Sequence, residues 1–334
     1  MKRPTMADVA QHAKVSKSTV SQYLNKRFDY MGEETKKRIE ESISELGYQA
    51  NFIARSLKQR RTFTIGVIVA NILHAFSTQV IRAIEDVCNE KDMHVIVCNA
   101  DDDPKKERKY IDMLRAKQVD GLIVFPTGEN EDLYEGMIEE KYPLVFLDRM
   151  IEGLSVDAFL LDNEDAAKLA VEHFIDKGHQ RIGMITTSLL RNVTPRVERI
   201  EGFKKALINR GIKPSQKYVK GLEIQEIKNE LSVMLSLKKP PTAIFAGNDM
   251  TLMEILYFTK ENGIKIPDDL ALVSVDDVSF ANIFSPPLTT ISQPAFEMGE
   301  KATNLLLNKV EKEQGEGNVQ VYRFNGKLIP RSST

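Results

Sequence analysis

Apolar positions along the first 61 residues recur with a helical period that is broken in two places. Met6, Val9, Ala10 and Ala13 keep one face apolar, Val15 and Ser16 interrupt, and Thr19, Val20, Tyr23 and Leu24 restart the repeat. Two short helices joined by a tight turn fit this spacing, with Ser16 capping the second. Ala10 presents almost no side chain, so the second helix can cross closely over the first and turn Lys17, Ser18, Ser21 and Gln22 outward. Glu33 to Leu46 predicts a third amphipathic helix, with Thr35, Ile39, Ile43 and Leu46 along one side and Gly47 as its stop. The stretch from Tyr48 to Arg61 is too short and too basic to own a core, and reads as a linker that binds something acidic.

From Thr62 onward the period changes. Short apolar runs (Thr64 to Ala70, Val95 to Cys98, Gly121 to Phe125, Leu144 to Leu147, Arg181 to Thr186, Ala243 to Ala246, Leu270 to Val275) alternate with helical stretches such as Thr78 to Glu90, Lys105 to Ala116, Ala166 to Lys177, Ile200 to Arg210 and Leu252 to Asn262. Strands apolar on both faces and spaced by helices predict parallel sheets built from right-handed crossovers. Four or more strands before Asp162 and a similar set after Gln180 are too many for one compact sheet, so the body divides into two doubly wound lobes. Pro286, Pro287 and a last helix, Phe296 to Val310, return to the first of them. The expected fold is an all-α helix–turn–helix headpiece ahead of an α/β body of two parallel-sheet lobes, for which 334 residues leave ample chain.

Charge follows the same division. Residues 1–61 hold 13 Lys+Arg against 7 Asp+Glu, a net of +6, and the rest holds 33 against 41, a net of −8; the near-neutral total of −2 hides a basic head on an acidic body. A single lysine is an ordinary solvated side chain, but the asymmetry points to a polyanion partner. The outward face of the second helix is polar and rich in donors, which suits base edges and phosphates in a major groove, with a plain helical hairpin at the start of an enzyme as the alternative. No stretch approaches the roughly twenty apolar residues of a membrane span, and charges stand where a signal peptide needs an apolar run. A cytoplasmic location without a membrane partner is therefore expected. Cys88 and Cys98 have no CxxC or histidine companion and read as small buried apolar residues, with no metal site.

Met6-Ala7-Asp8-Val9-Ala10, Val15-Ser16, Thr19-Val20-Ser21 and Leu24-Asn25, followed by Leu46-Gly47-Tyr48, Asn51, Ala54 and Leu57, resemble the headpiece and hinge of the lac repressor/galactose repressor family of bacterial transcription regulators. Later stretches carry the likeness over nearly the whole chain. The resemblance implies double-stranded operator DNA as a partner, contacted by Thr5, Ser16, Lys17, Ser18, Thr19, Ser21, Gln22 and Asn25 of the headpiece and by Asn51, Ala54, Leu57 and Lys58 of the hinge. Lys17, Ser18 and Gln22 would read bases, and Leu57 would wedge into the minor groove from a hinge helix formed only on DNA. Two positions depart from the family. Lys14 stands where glycine is usual in the turn, at a cost if that backbone is left-handed. Gln22 stands where arginine is common, and glutamine prefers adenine where arginine prefers guanine. The likeness also implies a body arranged like periplasmic sugar-binding proteins, with three crossing strands near residues 161–164, 290–293 and 321–325. The expected boundaries are 1–50 for the headpiece, 51–61 for the hinge helix and linker, 62–161 with 293–322 for the N-terminal lobe, and 162–292 with 323–334 for the C-terminal lobe.

Open parallel sheets bind ligands outside the carboxyl ends of their strands. That rule selects Asn71 to Ser77, Asn99 to Asp103, Pro126 and Thr127, Asp148 and Arg149, Thr187 and Ser188, Gly247 to Asp249, and Asp276 with Asp277. Asp276 could accept bonds from two adjacent sugar hydroxyls, or could cap a helix from Val278, for which Asp277 is better placed. Arg199 could hold a hydroxyl pair or a carboxylate, or could simply pair with Glu198 or Glu201. The resemblance assigns Arg199, Asp276 and Asn248 to effector binding; with Phe76, Ser77, Asp148 and Arg149 they make the expected effector set. In the absence of tryptophan, Phe76, Phe280 and Phe284 are candidates for ring stacking, with core packing as the alternative. Arg149, Arg191, Arg196 and Arg199 near the cleft would tolerate a sugar acid, and a keto-deoxy sugar acid is favoured over a neutral sugar. Asp101-Asp102-Asp103 suggests a metal only until Pro104 is noticed: Asp103 as N-cap with proline at N1 explains the run. His179 reads as a turn or cap residue, with no nucleophile at an interpretable spacing.

The expected function is a DNA-binding regulator, a repressor of carbohydrate genes, controlled by a small sugar or sugar acid between two lobes. It would act as a homodimer, without a cofactor and without enzymatic activity. Lys327 to Thr334 lacks the heptad run of a tetramerising helix. The alternative is a sugar-binding or sugar-transforming cytoplasmic protein with an accessory helical N-terminus, which as an enzyme would need two facing carboxylates at a defined separation.

Overall fold

Thr5 opens the first helix with a capping box: its hydroxyl accepts from the Asp8 N–H, and the Asp8 carboxylate accepts from the Thr5 N–H at 2.7 Å. The computed structural model describes residues 4–29, 31–49, 61–311 and 319–334, in two compact units, 1–62 and 63–334. In the first unit, α1 (Met6–His12) leads through a turn to α2 (Lys17–Leu24), whose Ser16 cap accepts from the Thr19 N–H at 3.1 Å. Ala10 is 3% exposed at the crossing, and with Val9, Ala13, Val20, Ile39 and Tyr48 it forms a small core. The third helix, α3 (Glu33–Leu46), ends at Gly47, whose φ of 59° is the left-handed conformation glycine adopts freely.

Lys14 has φ 54°, so the lysine does sit in the left-handed conformation that a side chain disfavours. Lys14→Gly is expected to stabilise the headpiece by about 1 kcal/mol, the steric relief outweighing glycine's extra backbone entropy. Slower hydrogen exchange at the Val9 and Val20 amides of the intact chain would show it, and unchanged exchange would count against it.

The body begins with β1 (Thr64–Val69), α4 (Ala75–Glu90), β2 (His94–Asn99), α5 (Pro104–Ala116), β3 (Gly121–Val124), α6 (Glu131–Glu139), β4 (Leu144–Leu147) and β5 (Ala158–Leu161). It continues with α7 (Asn163–Asp176), β6 (Ile182–Thr187), α8 (Thr194–Asn209), β7 (Val219–Leu222), α9 (Ile227–Leu235), β8 (Ala243–Ala246), α10 (Asp249–Glu261), β9 (Ala271–Val275), β10 (Thr289–Ser292), α11 (Ala295–Glu311), β11 (Val321–Phe324) and β12 (Lys327–Ile329). The strands form two six-stranded sheets, ordered β11-β5-β4-β3-β1-β2 and β12-β10-β9-β8-β6-β7. Pairing is parallel except where β12 runs against β10. Each sheet is covered on both faces: α4 and α11 on one side of the first with α5 and α6 on the other, and α7 and α8 opposite α9 and α10 on the second.

The chain crosses between lobes after β5, after β10 and between β11 and β12. The first sheet keeps Arg323 and Phe324 in β11, two residues beyond the expected boundary at 322. No helix follows Val278; residues 276–288 run as turns and bends, so neither Asp276 nor Asp277 caps one. Asp277 instead accepts from the Thr290 hydroxyl at 2.7 Å and pairs with Arg331 at 2.8 Å.

Candidate functional site

The carboxyl ends of the two sheets face each other across a cleft. Asn71, His74, Phe76, Ser77, Asp148 and Arg149 line it from the first lobe, Arg196, Arg199, Asn248 and Asp276 from the second, and Gln293 from the second crossing. Asp148 and Asp276 end strands β4 and β9, and both turn through left-handed backbone, with φ 65° and 76°. Aspartate tolerates that conformation better than most residues. Local strain is thus concentrated at two side chains that enter the cleft.

Asp276, 6% exposed, accepts from Gln293 Nε2 at 2.6 Å and lies 3.4 Å from the Asp249 N–H. Burial, and then the charge of Asp249, push its carboxyl up to about 6 against the pull of Arg199. Arg199, 5% exposed, is held by two bonds: its Nε donates to Asn163 Oδ1 at 2.9 Å and one amino group to the Gly247 carbonyl at 2.6 Å. Its other amino group makes no hydrogen bond among the described residues. A guanidinium donor and a carboxylate acceptor side by side suit adjacent hydroxyls, one of which receives a bond while its neighbour gives one. Asn248 caps α10, accepting from the Thr251 N–H at 2.8 Å, while its amide donates to the Thr187 hydroxyl at 3.3 Å.

The lobes touch across this cleft. His74 Nδ1 meets Asp249 Oδ1 at 2.5 Å, and the Ala75 N–H donates to the same carboxylate at 2.7 Å, so a residue of the second lobe caps α4 of the first. Burial alone would lower the His74 pKa, but the Asp249 hydrogen bond and charge raise it; the same pairing outweighs burial to hold Asp249 low. Arg196 reaches Asp102 at 3.0 Å, and Met150 and Thr194 exchange backbone-to-hydroxyl bonds at 3.1 and 3.0 Å. The space left is about 40 Å³. That is room for a few water molecules, less than a sugar occupies.

All seven residues of the expected effector set sit at this cleft, though some neighbours named with them do not. Phe76 lines it, edge-on to Phe125 with ring centroids 6.4 Å apart. Phe280 and Phe284 instead pack on the α9–α10 side of the second lobe, which removes them as stacking surfaces. Arg191 is exposed and outside the lining. Arg199 pairs with neither Glu198 nor Glu201; Glu198 takes Arg323 and Glu201 takes Lys204. Asp103 caps α5 with Pro104 at N1, and Asp102 is drawn into the cleft instead. His179 bonds the Thr242 hydroxyl at 2.9 Å, and both cysteines are free and buried. Gln293 and Asn163 were invisible beforehand: one follows a crossing strand, the other begins a helix, and only the fold brings them to Asp276 and Arg199.

On the headpiece, Lys17, Ser18 and Gln22 share one exposed face of α2 with half-buried Ser21. Neither Lys17 nor Gln22 is engaged by another described side chain. Thr5, Ser16 and Thr19 spend their hydroxyls on caps and on each other, and Asn25 donates to the Ser21 carbonyl at 2.6 Å. Asn51, Ala54, Leu57 and Lys58 lie outside the described residues. No helix among the described residues is long and apolar enough to cross a membrane, and no cluster among them has metal-binding geometry.

A helix–turn–helix headpiece with a polar outward face, ahead of two parallel-sheet lobes, defines a DNA-binding transcription regulator rather than an enzyme. Residues 5–51 match the bacterial regulatory proteins of the lacI family, and residues 171–334 match the periplasmic binding protein-like domain. The chain is 48% identical over 332 residues to the probable HTH-type transcriptional regulator EndR of Paenibacillus polymyxa, covering 98% of each. It is 32% identical over 334 residues to the HTH-type transcriptional regulator KdgR of Bacillus subtilis, covering 98% of this chain and 97% of that one. Among solved structures, the Lac repressor bound to ONPG in its repressed state superposes with a TM-score of 0.84 at 25% identity, covering all of both chains. The chain belongs to the lacI family.

Proposed function

We propose that this regulator is a homodimeric repressor that holds a palindromic operator with two headpieces and is controlled by a small sugar or sugar acid bound between its lobes. The observation that carries the reading is that the buried Arg199 guanidinium and Asp276 carboxylate, groups suited to hydroxyls, line one cleft where the two lobes meet, with the polar contacts His74–Asp249 and Arg196–Asp102 across it. The Lac repressor structure, which is bound to ONPG, supports it by likeness. An effector that prefers one lobe arrangement over the other by about 2.7 kcal/mol changes operator affinity a hundredfold.

The test is selection of binding sites from random duplexes by the full chain, followed by titration of the selected duplex with sugars and sugar acids. A selected palindrome whose binding weakens steeply with salt and shifts with one of those ligands is the expected result. Duplexes recovered without sequence preference would overturn the reading. Gln22→Arg is expected to change the preferred base at one position of each half-site from adenine to guanine, with about 1–3 kcal/mol of discrimination. A second selection with the variant reads this out; an unchanged consensus would mean that Gln22 faces no base.

A further inference from the structure

We propose that Arg149 and Arg196 form the subsite that takes the carboxylate of a sugar-acid effector, and that Asp102 fills this subsite in the closed cleft as a displaceable internal anion. The inference rests on the reading of the cleft as the effector site and adds which chemical class it selects.

Both guanidinium groups are buried, Arg149 at 4% and Arg196 at 8% exposed. Both bond to one carboxylate: Arg149 to Asp102 Oδ1 at 2.5 Å and Arg196 to Oδ2 at 3.0 Å. Asp148 comes within 3.5 Å of Arg149 Nε without a hydrogen bond, and that buried Nε has no hydrogen-bond partner among the described residues. Burial, and then the like charge of Arg149, push the Arg196 pKa down to about 10, which is the mark of a guanidinium short of compensation. Arg149, flanked by Asp148 as well as Asp102, is held above its ordinary value despite burial, so the shortfall lies at Arg196, which would gain from an acceptor set closer to it.

Asp102 is the member of the trio free to leave. It sits on the turn after β2 in left-handed backbone, φ 54°, and its side chain is 24% exposed, so a rotation takes the carboxylate into solvent. The arginines belong to opposite lobes, Arg149 after β4 and Arg196 in the first turn of α8. A ligand carboxylate gripped by both therefore also joins the lobes. The exchange replaces one monoanion with another and leaves the charge of the cleft unchanged. A neutral sugar has no group to displace Asp102. A phosphate dianion would bring extra charge to a cleft that already holds Asp148, Asp249 and Asp276. Arg199 and Asp276 remain free to read hydroxyls on the same ligand.

Calorimetric titration of the full chain with a panel of aldonic, uronic and 2-keto-3-deoxy aldonic acids, their neutral counterparts and glucose 6-phosphate tests this, on the wild type, Arg196→Gln and Asp102→Asn. At least one acid is expected to bind, with its neutral counterpart weaker by roughly thirtyfold or more, the worth of a buried charge-assisted pair. Arg196→Gln should erase that preference, the acid binding the variant no more tightly than its neutral counterpart binds the same variant. Asp102→Asn, which keeps the shape and removes the competing charge, should tighten the acid about tenfold, and it carries the test if Arg196→Gln does not fold. Equal affinity for an acid and its neutral counterpart, unmoved by either variant, overturns the subsite while leaving a carbohydrate effector in place. A preference for glucose 6-phosphate overturns it as well. If no member of the panel binds a protein that still holds its operator, the carbohydrate reading falls and this inference with it.

Discussion

Asp276→Asn will leave the body more stable than the wild type at pH 8 and unresponsive to its effector. Asp276 is 6% exposed, and burial and the Asp249 charge raise its carboxyl from an ordinary value near 3.8 to about 6. In that window the folded state holds a proton that the unfolded chain has released, so wild-type stability falls as pH rises from about 4 to 6 and stays low above. At roughly 1.36 kcal/mol per unit, the difference is up to about 3 kcal/mol. His74, whose pKa is also raised, acts in the same direction: its contribution is present below about 6.5 and fades as pH rises through its folded value. Asp249, held low, opposes both, since its contribution is lost on acidification. Asparagine has no charge to desolvate, so the advantage of the variant should grow between pH 4 and pH 6 and then level off. Denaturant unfolding of the body at pH 4, 6 and 8 measures it, and parallel pH profiles for the two proteins would refute it. Effector affinity should fall about a hundredfold, because a neutral amide replaces a charged acceptor with hydrogen bonds to spare.

Gly202→Ala will destabilise the body by about 2–3 kcal/mol through a backbone collision that no side-chain rotation relieves. A Cβ at that position would stand 2.6 Å from Glu164 Cα, 2.9 Å from its carbonyl oxygen and 3.1 Å from its carbonyl carbon. The collision pushes α8 off α7 where Asn163, beside Glu164, holds Arg199 Nε. Stability and effector affinity should therefore fall together, affinity by about tenfold for one loosened buried bond. Gly136→Ala in α6, where nothing lies within 4 Å of the added carbon, is the control and should gain about 0.5–1 kcal/mol. Equal midpoints for Gly202→Ala and wild type, with unchanged binding, would sink the argument.

Gly202 also shows why some of the molecule could be read in advance. An arginine three residues before Gly-Phe could be recognised as a motif, but its physical basis, a helix pair packed backbone to backbone beneath the arginine, exists only in three dimensions. Strands buried on both faces, such as β1, β3 and β8, announced themselves as continuous apolar runs. β7 did not, because at a sheet edge Val219–Leu222 is only half-buried and needs no such run. β12 is three residues of mixed polarity, paired antiparallel. The shorter α6 and α9 passed unnoticed between stronger signals. In the cleft, the rule of strand ends found Asp148, Arg149, Asn248 and Asp276, each at the end of an apolar run. It failed for Gln293 and Asn163, and it listed His74, Asp102 and Asp249 without assigning them a task. Their partners are 47 to 175 residues distant, and nothing local encodes such a pairing.

Asn163 also donates to Glu198 at 2.8 Å, and Glu198 grips Arg323 of β11 through two bonds of 2.6 Å, so α8 of one lobe is fastened to the last crossing strand of the other. Glu198 adjoins Arg199 on the same helical turn, which makes this fastening a trim screw on the dose–response curve. On the proposed reading, weakening it changes the balance between the two lobe arrangements, and with it both the resting output and the concentration at which an effector acts.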